Sequence, residues 1–198
     1  MKKYLQFALM IFCMSVVFTS CKDDDDSDDA AVEAYKLKNE QAFAAKEKDT
    51  DFFKVSIQGS GDDFVYAKRI KQGDGPVIYY NSRVTVYYKG WLIDSKEGEY
   101  FDQCVPYSAP AKFAVSSASS NYSYTYGGVP SPITGWTIAL QNMVVGDKWE
   151  VWIPQKLGYG SNEKDNIPAY STLIFEIEVI ERTSEVAGTS DTEDYKIS

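Results

Sequence analysis

The sequence predicts an α+β domain in which one short amphipathic helix packs against one face of an antiparallel sheet. Three observations carry this expectation. Runs rich in β-branched and aromatic residues recur beyond residue 51, many of them alternating in polarity. One helical period interrupts them at 134–143, where Trp136, Ala139, Leu140 and Met143 fall at i, i+3, i+4 and i+7. Once an export signal and a polar tail are set aside, the 198 residues leave the length of one domain with one core.

The amino terminus begins Met1-Lys2-Lys3, continues as a mostly apolar run over 5–18 and ends Thr19-Ser20-Cys21. This is the charged, apolar and small-residue order of a signal peptide over 1–20, and the run is shorter than the roughly 20 residues that span a bilayer. A buried or anchoring helix is the alternative. Cys21, placed after small residues at the end of the apolar run, makes the segment resemble a bacterial lipoprotein signal, with Phe18 in place of the usual Leu. The resemblance implies that Cys21 is acylated and becomes the mature N-terminus. The expected location is then exported and lipid-anchored to the outer membrane, on its periplasmic or cell-surface face.

Residues 21–30 are expected to be a solvated tether, because the like charges of Asp23, Asp24, Asp25, Asp26, Asp28 and Asp29 repel one another. A lysine followed by acids just after the cysteine resembles a surface-display signal. A calcium loop is the rival reading, but the Gly and the terminal Glu of an EF-hand are missing.

Residues 31–63 read as a helical N-terminal extension. Helix formers run from Ala30 to about residue 50, with Val32, Tyr35, Leu37, Ala42 and Phe43 only loosely periodic. The domain proper is expected over 64–182, with strands at 64–70, 84–93, 112–116, 148–153 and 172–180. In the last of these, Phe175, Ile177 and Val179 share one face, with Glu176, Glu178 and Ile180 on the other. Gly73-Asp74-Gly75-Pro76, Gly127-Gly128 and Gly146-Asp147 are turn signals between strands. Thr134 is a candidate cap for the 134–143 helix, and Gly146 follows its end. The Ser-, Tyr- and Gly-rich stretch 116–132 reads as an exposed loop or a small hairpin, or as a glycan or peptide contact surface. After Glu181 the chain turns polar, and 183–198 is expected to fray.

Charge and composition exclude several function classes. Loss of residues 1–20 would remove two lysines and no acids, taking the formal charge from −9 to −11, which disfavours a nucleic-acid partner. With Cys13 lost and Cys21 acylated, Cys104 would be alone and could form no internal disulfide. The chain has no histidine, so it holds no Ser-His or Cys-His nucleophile pair and no His-ligated zinc. No metal or other cofactor is expected. Chemistry must come from carboxylates, hydroxyls, backbone groups or a shaped apolar surface.

Three segments then arrive in a distinctive order. The first is Val84-Thr85-Val86-Tyr87-Tyr88-Lys89-Gly90-Trp91-Leu92, followed by Tyr100-Phe101-Asp102. The second is Ile133-Thr134-Gly135-Trp136-Thr137-Ile138-Ala139-Leu140-Gln141-Asn142-Met143 with Gly146-Asp147-Lys148. The third is Ile153-Pro154-Gln155-Lys156-Leu157-Gly158-Tyr159-Gly160, then Ile167-Pro168 and Thr172-Leu173-Ile174-Phe175-Glu176-Ile177-Glu178. In order and spacing these resemble the FKBP-type peptidyl-prolyl cis-trans isomerases, over roughly 64–181.

The resemblance implies an FKBP-like, strongly curved antiparallel sheet wrapped around one short helix. It also implies rotation of X-Pro bonds in an apolar pocket, on proline-containing polypeptides, assisting the folding of exported proteins. Carried over by position, Trp136 is the floor, with Tyr88, Phe101, Ile133 and Phe175 as walls. The Tyr159 hydroxyl and the Ile167 backbone N–H would donate to substrate carbonyls, and Asp102 would orient tyrosine hydroxyls or face the rotating carbonyl. A monomer is expected, attached to the membrane by its N-terminal lipid. Ala111, Pro132, Asn166 and Ala169 depart from the family pattern, and Ala111 and Pro132 alter the pocket rim. They leave open a second reading, a non-catalytic surface lipoprotein that binds peptides, partner proteins or glycans through its Tyr-rich loop.

Overall fold

The computed structural model, which describes residues 25–106, 109–115, 125–126 and 129–184, is organised around its two longest strands, β3 (Ser82–Leu92) and β9 (Leu173–Ser184). They pair antiparallel from Ser82↔Ser184 to Leu92↔Leu173, with a register shift between Thr85 and Val86. Around them lie β1 (Phe53–Val55), β2 (Val65–Lys71), β4 (Asp102–Cys104), β5 (Ala111–Ala114) and β8 (Lys148–Ile153). The order is β1-β2-β8-β9-β3-β4. β4 and β5 share one edge of β3: β5 pairs with Arg83–Val86 and β4 with Tyr88–Gly90. The register shift leaves Ile180 as an extra residue on β9, opposite the part of β3 that pairs with β5, and such a bulge bends and twists its strand.

Alternation along the strands sorts the side chains into two faces. Val65 and Ala67, Val84 and Val86, Trp149, Val151 and Ile153, and Leu173, Phe175, Ile177 and Val179 are all buried. Opposite them lies an ionic ladder: Lys89–Glu176 at 3.3 Å, Lys148–Glu176 at 2.9 Å, Lys148–Glu178 at 3.7 Å and Lys71–Glu178 at 3.6 Å. The two-sidedness expected of β9 holds from Phe175 to Ile180.

The helix α2 (Thr134–Leu140) lies in the concave side of this sheet, packed on β2 and β8. Every residue from Gly135 to Leu140 is buried, so the amphipathic stripe read from the sequence is in fact buried all round. Met143 lies beyond the helix end, though it too is buried. Thr134 is not the cap: Ile133 holds that position, and no side chain caps the helix. Gly135 faces Ile153, and a Cβ there would collide with the Ile153 Cγ1, Cγ2 and Cδ1 atoms.

At the amino end, α1 (Asp25–Ala44) starts inside the stretch expected to be a tether, and a 3-10 turn, Ala45–Lys48, continues it. Carboxylates in the first turn of a helix meet the positive end of its dipole, which offsets part of their mutual repulsion. Residues 28–34 are exposed all round, and contact with the domain begins at Tyr35. Two strands were not read from the sequence: β1, inside the stretch expected to be helical, and β4. β9 runs to Ser184, into the stretch expected to fray. Within 116–132, β6 (Thr125–Tyr126) and β7 (Val129–Pro130) form a two-stranded hairpin. Cys21 and residues 116–124 lie outside the described residues.

Gly135→Ala gives a test of this packing. An exposed helical glycine gains about 1 kcal/mol on replacement by alanine. Here the collision with Ile153 reverses the sign, and a loss of about 1–3 kcal/mol is expected. It would be read as a lower urea midpoint at unchanged slope.

Candidate functional site

Where β3, β5 and β9 pass the start of α2, their aromatic side chains converge on Trp136. The Trp136 ring is 5.1 Å from Tyr88, 5.2 Å from Phe113 and 5.2 Å from Phe175, centroid to centroid. Interplanar angles of 86°, 63° and 86° place edges against faces, the arrangement ring quadrupoles favour. A cleft of about 490 Å³ opens over this group. Its apolar lining is Tyr88, Phe113, Pro132, Ile133, Trp136 and Phe175, and its polar rim comes from Asp102, Tyr159 and residues 162–164.

Of the expected site residues, Tyr88, Asp102, Ile133, Trp136, Tyr159 and Phe175 come together in the cleft. Phe101 is not in the lining. Its ring meets Phe175 edge-on at 5.4 Å and 90°, so it buttresses that wall. Gly90 makes this contact possible, because a Cβ there would lie 2.6 Å from Phe175 Cε1 and 2.7 Å from Phe101 Cζ.

Ile167 is a correction. It is buried, and its N–H donates to the Lys164 carbonyl at 2.8 Å while its own carbonyl accepts from Lys164 N–H at 3.0 Å. That N–H is committed to the loop and does not serve the cleft. Ile133 does line the cleft: its carbonyl accepts from Trp136 and Thr137, and its N–H makes no hydrogen bond among the described residues.

The two tyrosine hydroxyls differ in the same way. Tyr88 Oη donates to Asp102 Oδ2 at 2.7 Å, which ties the Tyr88 hydroxyl to that carboxylate. Burial first, and then the hydrogen bond and charge of Asp102, push the Tyr88 hydroxyl well above its ordinary value of 10.0. Tyr159 is also raised, chiefly by burial, with Lys164 opposing and Asp102 and Asp165 adding to the rise. Its hydroxyl makes no hydrogen bond among the described residues.

Phe113 and residues 162–164 complete the cleft without a motif that assigns them to it. The alternation Ala111-Lys112-Phe113 on β5 was the available signal for Phe113, and Pro132 was read only as a rim change. Nothing local marks 162–164, which are brought over the cleft when Tyr170 N–H closes on the Gly160 carbonyl at 2.7 Å. Among the described residues no three His, Cys, Asp or Glu side chains are placed to hold a metal ion.

The sequence profile of the FKBP-type peptidyl-prolyl cis-trans isomerase family matches residues 77–180. The chain is 41% identical over 113 residues to the FKBP-type 22 kDa peptidyl-prolyl cis-trans isomerase of Escherichia coli K12, covering 57% of this chain and 47% of that protein. It is 32% identical over 162 residues to the isomerase FkpA of Aeromonas hydrophila, covering 82% and 50%. The chain thus spans about half the length of these bacterial relatives. Among solved structures, FkpA of Escherichia coli superposes with a TM-score of 0.58 at 26% identity, over 81% of this chain and 66% of that one. A peptidyl-prolyl cis-trans isomerase of Pseudomonas syringae pv. tomato gives 0.54 at 27%, over 84% and 100%.

The tyrosine environment predicts a direction with pH. A hydroxyl whose folded-state pKa is raised binds its proton more tightly when folded. Its stabilisation is therefore complete below about pH 10 and is lost as pH rises beyond that. Asp102→Asn keeps an acceptor for Tyr88 but removes the charge, so the Tyr88 pKa should fall while staying above 10.0, because burial is the larger cause. Tyrosinate absorbance, compared with a Tyr88→Phe control, measures this directly.

Proposed function

The chain belongs to the FKBP-type peptidyl-prolyl cis-trans isomerase family, and we propose that it catalyses rotation about X-Pro bonds in the cleft floored by Trp136. The carrying observation is that cleft: an aromatic floor and walls, with the Ile133 N–H and the Tyr159 hydroxyl as donors that have no acceptor among the described residues.

Rotation about an amide breaks its resonance, a barrier of about 18–20 kcal/mol. The planar amide is the more dipolar and better solvated form, so an apolar surface that strips its water favours the twisted form selectively. The proline ring would lie on Trp136 between Tyr88, Phe113 and Phe175. Ile133 N–H and Tyr159 Oη would donate to carbonyls on either side of the bond, fixing one part of the chain while the other turns. Asp102 would act through Tyr88, holding that ring upright by its hydroxyl. No bond is made or cleaved, and no group needs to change protonation. This chemistry suits a chain without histidine.

Proline-containing polypeptides are accordingly the proposed substrates, with folding of exported chains as the setting. Export and acylation at Cys21 are supported by the sequence pattern alone. Cys21→Ser is expected to move the protein from the membrane fraction to the soluble fraction in fractionated cells. Persistence in the membrane would remove the lipid anchor from this reading.

A proline-peptide isomerisation assay on the folded protein tests the activity. Acceleration over the uncatalysed rate is expected, with kcat/KM flat from about pH 6 to 9, since the hydroxyls of Tyr88 and Tyr159 stay protonated there. Tyr159→Phe should cost about one hydrogen bond, roughly 1 kcal/mol or about a fivefold loss of kcat/KM. No acceleration by the folded protein would sink the proposal in favour of a binding role.

A further inference from the structure

Apart from Asp102, the cleft's polar rim is carried by one long segment, residues 158–170, and both roots of that segment touch α1. Asn39 is fully buried in the middle of the helix. Its Nδ2 donates to the Tyr35 carbonyl at 2.9 Å, and its Oδ1 accepts from Thr172 N–H at 2.8 Å. Thr172 Oγ1 in turn donates to the Asn39 carbonyl at 3.1 Å. One residue earlier, Ser171 Oγ donates to the Pro168 carbonyl at 2.7 Å, so the 2.9 Å contact with Tyr35 takes its proton from the Tyr35 hydroxyl. One residue earlier again, Lys36 Nζ lies 5.5 Å from the centroid of the Tyr170 ring. At the other root, Gln155 Nε2 reaches Glu40 Oε1 at 3.4 Å.

Three consecutive residues, Tyr170, Ser171 and Thr172, are thus held by three residues of the helix. Their position is passed to the cleft by short covalent and hydrogen-bonded steps. Tyr170 N–H closes on the carbonyl of Gly160, the neighbour of Tyr159. On the other side, Thr172 is three residues from Phe175, the cleft wall. Tyr170 itself has φ +64°, an uncommon conformation for a non-glycine residue, which persists only where the surroundings enforce it.

We propose that α1 is a positioning clamp for the cleft: Asn39, assisted by Tyr35 and Lys36, fixes residues 170–172 and thereby sets the reach of Tyr159 and the 162–164 rim over a bound peptide. Asn39 is a positioning residue, not a catalytic one, since it touches no part of the cleft. The inference rests on the isomerase reading above for its effect on turnover, but the clamp itself is a statement about the segment.

Two measurements on the full chain, with Asn39→Ala and Tyr35→Phe, test it. Amide hydrogen exchange at Lys164, Ile167 and Tyr170, whose acceptors lie within the segment and not on α1, should quicken in both variants, while the amides of β8 keep their rates. With a proline-containing peptide, Asn39→Ala should raise KM roughly tenfold with little change in kcat, and Tyr35→Phe should move KM the same way by less. A merely destabilised protein would instead lose kcat in proportion to its unfolded fraction at unchanged KM. That pattern, or unchanged exchange in folded Asn39→Ala, overturns the clamp. Should Asn39→Ala not fold, Tyr35→Phe decides: unchanged exchange at the three amides overturns it. If the wild-type chain shows no isomerisation, the function reading fails while the exchange arm still decides the clamp.

Discussion

The position of Trp136 is the constraint on which the rest of the domain depends. Its ring is buried among Tyr88 from β3, Phe113 from β5 and Phe175 from β9, so one side chain ties the helix to three strands. It also has to leave one surface open as a cleft floor, which an ordinary core residue does not. Both demands are met because α2 is short and enclosed by the sheet. A longer helix would carry its first turn out of the concavity, and a side chain at residue 135 would push α2 off Ile153. Gly90 plays the matching part on β3, where the space its missing side chain leaves is filled by Phe101 and Phe175. The cleft is thus a consequence of two absent Cβ atoms as much as of the rings that line it.

Elements whose side chains alternate over many residues were legible in the sequence, and those that depend on a distant partner were not. β8 falls where its pattern places it, and β2, β3 and β9 differ from expectation only at their ends. β1 and β4 have three residues each, too few for a period, and exist because β2 and β3 offer them edges. The acidic run shows a similar limit. Repulsion between carboxylates is a correct local argument for a tether, yet it omits the helix dipole and the fact that the helix, once docked from Tyr35 onward, can extend backwards over Asp28 and Asp29.

Most of the cleft was readable for a different reason: Tyr88, Asp102, Ile133, Trp136, Tyr159 and Phe175 stand in three motif segments whose order and spacing mark them as one set, and the fold brings all six to one cleft. Assigning a donor was harder. Ile133 and Ile167 are both isoleucines before or after a turn, and only hydrogen-bond accounting separates them. The N–H of Ile167 closes a turn with Lys164, whereas that of Ile133, at the cap of α2, falls among the first N–H groups of a helix, which have no intrahelical acceptor. The two tyrosines divide likewise, Tyr88 spending its proton on Asp102 and Tyr159 keeping its own.

The docking of α1 shows why its loose apolar periodicity said little about where it would lie. Val32 and Leu37, two of its largest apolar residues, are exposed, so apolar burial does not seat the middle of the helix. Polar groups seat it instead: Asn39, Ser171 and Thr172 are all buried and all hydrogen-bonded. The apolar contribution comes at the far end, where Phe43 packs on Phe64 and Tyr66, and where Lys46 in the following turn lies over Phe52 and Trp152. A fully paired polar joint adds modestly to stability but discriminates sharply between registers, because a shift of one residue along the helix would bury Thr172 N–H without an acceptor. Aromatic contacts near Phe43 hold the helix on the domain, and Asn39 determines which register it takes.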